Sequence, residues 1–99
     1  MLEAVKLALR LTNTAFDDEV IALIEACKSD LKLAGIVKIK DSDPLILRAV
    51  TLYAKAHFGY VEDGEKYQKS YDSLKISLCL AGDYNHVQRR NNRNLQKKA

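Results

Sequence analysis

Residues 43–59, DPLILRAVTLYAKAHFG, decide the fold. Asp43 and Pro44 form a helix start: an aspartate can accept from an early helix amide, and proline at the first helical position loses no needed hydrogen bond. The residues that follow are apolar around most of a helical circumference. Leu45, Ala49, Leu52, Tyr53 and Ala56 take one side, and Leu47, Val50, Ala54 and Phe58 the other. Arg48, Thr51, Lys55 and His57 interrupt them. A helix apolar on nearly all sides belongs at the centre of a core or at a subunit interface. Gly59 is expected to end it.

Upstream, Leu2, Val5 and Leu9 with Ala4 and Ala8 share one helical face and predict a short first helix from about Leu2 to Arg10. Thr12-Asn13-Thr14 breaks it, since these residues favour caps and turns. Thr14 is then expected to cap a second helix whose first turn holds Asp17, Asp18 and Glu19, acids suited to the positive end of the helix dipole. Phe16, Val20, Leu23, Ile24, Cys27, Leu31 and Ala34 recur by threes and fours, a buried stripe of about five turns. Lys28 and Lys32 suit its far end, and Gly35 is a natural stop. Residues 36–43 read as a loop with apolar anchors at Ile36, Val37 and Ile39. No convincing second strand stands ready to pair with them.

Downstream, residues 61–64 read as a turn. Asp63 is expected to cap a last helix from about Glu65 to Ala81, closed by Gly82. Tyr67, Tyr71, Leu74, Leu78 and Ala81 form its main stripe, while Ile76 and Leu80 add apolar surface on another side. The expected core contains Val20, Leu23, Ile24, Cys27, Leu31, Ala49, Leu52, Tyr53, Ala56, Tyr71, Leu74 and Leu78.

Ninety-nine residues leave room for one core, and an apolar content of 47% is ordinary for a globular chain. The net charge of +3 hides an asymmetry. Residues 1–82 hold eleven Lys/Arg against twelve Asp/Glu, while residues 83–99 hold five Lys/Arg against one acid. The reading is therefore a helical domain over residues 1–84 and a basic tail over 85–99. The tail has only Val87 and Leu95 as aliphatic anchors, too few to offset ordering costs of roughly 1–2 kcal/mol per residue. It is expected to be disordered when free, or ordered only against a neighbour. Arg89, Arg90, Arg93, Lys97 and Lys98 suit a protein-binding arm, a solvated terminus or a phosphate-binding segment.

No apolar run approaches the roughly 18 residues of a membrane helix, so no membrane partner is expected. The first residues lack the apolar centre of a signal peptide, which points to the cytoplasm during synthesis. Nucleotide-binding glycine motifs, HExxH and GxSxG are missing from the sequence. His57 and His86 have no companion at metal-ligand spacing. Cys27 and Cys79 sit at or near apolar faces, and nothing local would lower a thiol pKa. The expectation is a non-enzyme with no catalytic residue, metal or cofactor.

FDDEVIALIEACKSDLKLAGI, DPLILRAVTLYAKAHFGY and EKYQKSYDSLKISLCLAGDY, in that order, resemble the small head–tail connector proteins of tailed bacteriophages, an adaptor family also described as DNA-packaging proteins. The resemblance spans roughly residues 2–84 and rests on packing residues, with no catalytic signature among them. It implies an all-α fold, a bundle of about four helices, and a structural role at the virion head–tail junction. Such adaptors form rings under the portal, usually of about twelve copies, as heterologous contacts allow. They extend the DNA channel without sequence-specific DNA binding and dock the next connector or stopper protein, yet can be monomeric when free. Leu47, Val50, Phe58, Tyr67, Ile76 and Leu80 are the expected subunit interface. The resemblance thus implies an adaptor of a tailed phage or prophage; the alternative is a small helical nucleic-acid-binding protein that uses the basic tail.

Overall fold

The computed structural model describes residues 1–59 and 62–84. Among them are four helices and no strand: α1 (Leu2–Ala8), α2 (Asp17–Leu33), α3 (Pro44–His57) and α4 (Gly64–Leu80). The all-α bundle expected from periodicity is the observed architecture. Helix α3 is its centre, packed against each of the other three, and α1 also packs on α2.

The centre is occupied as the stretch 43–59 requires. Ile46, Ala49, Val50, Leu52 and Ala54 of α3 are buried. They meet Val20, Ile24, Cys27 and Leu31 of α2, Val5 of α1, and Tyr71 and Leu78 of α4 in one cluster. Most of the apolar circumference of α3 is thus consumed inside the protein, while Leu45 stays exposed. Leu23, Tyr53, Ala56 and Leu74, expected in the core, are half-buried at its margin. Ile46 takes a fully inward place that the stripes did not assign, and Ile36 and Phe58, outside the expected core, are buried as well.

Two helix ends close by the same hydrogen-bond arrangement. After α2, Gly35 adopts φ 98°, its N–H donates to Lys32 O, and Ile36 N–H reaches back to Leu31 O. This left-handed closure satisfies carbonyls that a helix end would leave free, and the residue beyond it packs against the last turn. Ile36 is accordingly buried with Leu31. After α1, Arg10 takes the left-handed place at φ 62°, with Arg10 N–H donating to Leu7 O and Leu11 N–H to Lys6 O. The first helix therefore ends at Ala8, two residues earlier than expected.

The helix starts differ. Asp43 Oδ1 accepts from Leu45 N–H at 2.9 Å, the cap expected ahead of Pro44. Thr14 does not cap α2. Phe16 occupies the cap position with no side-chain bond, because Asn13 Oδ1 has already turned the chain by accepting from Ala15 N–H at 3.0 Å. Asp63 stands at the start of α4 in a left-handed conformation, φ 61°, which keeps its carboxylate from capping the helix. Gly64 follows because α3 comes close: a Cβ there would lie 2.9 Å from the Ala56 carbonyl oxygen.

Candidate partner interface

The surface that remains once the core is filled starts with how α4 sits on α2. Tyr71, buried in the middle of α4, donates its hydroxyl proton to Asp30 Oδ2 at 2.6 Å. Lys75, one turn on, adds a second bond to the same oxygen at 3.0 Å. The Cys27 thiol lies 3.8 Å from the Tyr71 hydroxyl and can donate to it. Burial alone would raise the Asp30 carboxyl, but the bonds from Tyr71 and Lys75 outweigh it and hold its pKa below the ordinary value. Burial, reinforced by the bond to Asp30, pushes the Tyr71 phenol up. Burial also pushes the Cys27 thiol up to about 11, the reverse of what a nucleophilic thiol needs.

This register fixes the far ends of both helices. Cys79 donates its thiol proton to Ala34 O at 3.1 Å, so the last turn of α4 lies against the end of α2. The chain then turns at residues 81–84 and is latched to the α2–α3 loop. Tyr84 O accepts from Val37 N–H at 2.8 Å, and Tyr84 OH donates to Asp43 Oδ2 at 2.7 Å. The hydrogen bond lowers the Asp43 carboxyl and pushes the Tyr84 phenol up to about 12. Lys28 pairs with Asp41 at 2.8 Å and ties α2 to the same loop.

With these contacts made, large aliphatic side chains remain outside. Leu33 of α2 is 88% exposed, and Leu80 and Ile76 of α4 are 80% and 59% exposed. Ile76 and Leu80 are one turn apart on one face of α4. Cys79 is bonded to Ala34, so Leu80 and Leu33 both lie at the end of the bundle where α2 and α4 finish. Val37, in the adjoining loop, is also exposed. Beside it a groove of about 580 Å³ runs between residues 37–40 and Gly82-Asp83.

The expected interface residues divide three ways. Ile76 and Leu80 face solvent. Leu47 is half-buried, and so is Tyr67, whose ring lies under the Lys55 ammonium at 5.2 Å. Val50 and Phe58 are corrected: both are buried in the protein's own core, and Phe58 meets Phe16 edge-on at 5.6 Å. Neither is available to a partner in this fold. Arg89, Arg90, Arg93, Lys97 and Lys98, the expected partner-binding tail, lie outside the described residues. Leu33 was not singled out from sequence, and Val37, expected as an apolar anchor of the loop, is exposed instead. The signal for Leu33 was present, since it falls off the Cys27–Leu31–Ala34 stripe.

The residues with chemical potential are otherwise engaged. His57 is exposed and packs on the Tyr53 ring at 4.3 Å between centroids. Asp17, first of the three acids of α2, pairs with the buried Lys6 at 2.8 Å. Among the described residues no three His, Cys, Asp or Glu side chains gather to hold a metal ion, and no helix is long and apolar enough to cross a membrane.

A family model described as phage connector protein matches residues 1–85 of the chain, which covers all four helices. Comparisons with curated proteins and with solved structures found no match.

Proposed function

The chain belongs to the phage connector protein family, and from that premise we propose that it is a structural, non-enzymatic adaptor at the virion head–tail junction, assembled in the bacterial cytoplasm. Copies stand side by side in a closed ring of about twelve beneath the portal, each presenting two different faces to its neighbours. The ring extends the channel for DNA, makes no sequence-specific contact with it, and offers a seat for the next connector or stopper protein. The helical domain over residues 1–84 builds the ring, and the basic segment 85–99 serves as an arm to a neighbouring protein.

The observation that supports this reading is the exposure of Leu33, Ile76 and Leu80 where α2 and α4 finish, with Leu7 and Ile21 exposed elsewhere on the bundle. Single apolar residues on a surface need no explanation, but this many large aliphatics left exposed on so small a bundle favour an interaction surface. Copurification with a portal ring tests the proposal. The expected result is a stable complex whose mass corresponds to one closed ring of this chain per portal. Failure to associate with portal at high concentration would overturn it, whereas a monomeric free protein would not.

A further inference from the structure

The two ends of the bundle differ in the balance of their unpaired charge. At one end α2 and α4 finish and the α2–α3 loop crosses between them. Asp41 is neutralised there by Lys28, and Asp43 is engaged by Tyr84. Lys32, Lys38 and Lys40 are exposed and, among the described residues, form no ion pair, with Asp83 as the one acid beside them on the groove. The opposite end is located by the Phe16–Phe58 contact and by the approach of Gly64 to Ala56. There α2 and α4 begin, and Asp18, Glu19, Glu62, Asp63 and Glu65 are exposed. Lys66 and Lys69 follow on α4, so acids lead the turn and lysines trail it. The seventeen residues of α4 put about 25 Å between the two ends.

We infer that the groove bordered by Lys38 and Lys40 receives the acidic α3–α4 turn, Glu62 to Glu65, of a second copy of this chain. The inference rests on the ring reading above and assigns its contact. Charge complementarity selects the partner. Lysines rim the groove, and the acids of the α3–α4 turn stand at the other end of the same molecule. Placement agrees with it. In a ring of about twelve, successive copies are rotated by about 30°, so the two faces of each copy must lie nearly opposite one another. Apolar surface accompanies the charge on both faces. Val37 and Leu80 are exposed at the groove end, and Ile21 is exposed in the early part of α2. An interface with an apolar centre and complementary charges at its rim is the usual arrangement, and the charges set the register.

Paired charge reversals test this. One full-length variant carries K38E and K40E, and the other carries E62K and E65K. All four positions are exposed, and unchanged melting temperatures verify folding. Sedimentation velocity is run over a concentration series on wild type, each variant and their equimolar mixture. Each variant alone is expected to self-associate at least about tenfold more weakly than wild type, because its own faces now repel. The mixture is expected to recover association, since each altered face meets its complement. Wild-type association insensitive to both reversals would overturn the inference while leaving the ring reading intact. Reversals that weaken association without recovery in the mixture would also overturn it, as would a mixture that stays monomeric at concentrations where wild type associates; if wild type needs portal to assemble, the same series is run with portal rings present and reads ring filling. Binding to portal, measured separately, decides the ring reading itself.

Discussion

The Tyr71 hydroxyl reaches the Asp30 carboxylate at 2.6 Å across 41 positions of sequence and fixes how α4 lies on α2. The bond is charge-assisted, and Tyr71 is itself fully buried. Such bonds contribute more than neutral ones, about 1.5–3 kcal/mol. Tyr71→Phe is expected to lower stability by about that amount in urea melts. A variant that melts with wild type would show that Lys75 alone holds Asp30.

The same carboxylate gives the fold a dependence on acid. Asp30 has a folded pKa below its ordinary value, so its contribution is fully present above the unfolded pKa and is lost as pH falls through the folded one. Asp41, lowered first by its bond to Lys28, and Asp43, lowered first by its bond to Tyr84, act in the same direction. Stability should therefore be flat from neutrality down to the carboxylate range and fall below it. Asp30→Asn should be less stable than wild type at pH 7, and the difference should narrow as pH drops below 4, as read by denaturant midpoints at each pH. A constant gap down to pH 2 would contradict this account.

Leu52 of α3 is 5% exposed at the centre of the bundle. Truncation to alanine removes buried methyl groups and leaves a cavity that the surrounding helices fill only in part. The cost should be about 2–5 kcal/mol, seen as a large drop in thermal midpoint. Gly64→Ala is also expected to destabilise, by about 1–3 kcal/mol, since the added Cβ meets the Ala56 carbonyl oxygen at 2.9 Å, where backbone must move.

Arg10 gives a prediction of the opposite sign. It holds φ 62° on an exposed position where the parallel closure of α2 uses Gly35. A left-handed conformation costs a residue with a Cβ about 1–2 kcal/mol, partly offset by the greater freedom of glycine in the unfolded chain. Arg10→Gly should raise stability by about 0.5–1 kcal/mol. An unchanged or lower midpoint would contradict the assigned strain.

What was legible in the sequence follows from what is local. The stripes of α2, α3 and α4 repeat every three to four residues, so element type and order could be read directly. Asp43 could be read as a cap because Pro44 follows it. The Thr14 cap failed because two adjacent side chains compete for the same turn, and Asn13, one residue earlier, makes the bond. Periodicity shows that Val50 and Phe58 are apolar but not which neighbour covers them. With α1, α2 and α4 packed on α3, both residues lie in the core and not at the expected interface, Phe58 against Phe16. The exposure of Leu33 depends on where α4 settles, and that is set by contacts between residues more than forty positions apart, Tyr71 to Asp30 and Cys79 to Ala34.

The account stands on the aliphatics left outside the bundle being there to hold copies together. The most direct measurement is electron microscopy of portal-bound assemblies formed with wild type and with a Leu33→Ser, Ile76→Ser, Leu80→Ser variant. These side chains are 88%, 59% and 80% exposed, so the variant should fold and melt like wild type. The account predicts closed rings on portal for wild type and empty or incomplete rings for the variant. A correctly folded variant that fills the ring as completely as wild type would contradict it.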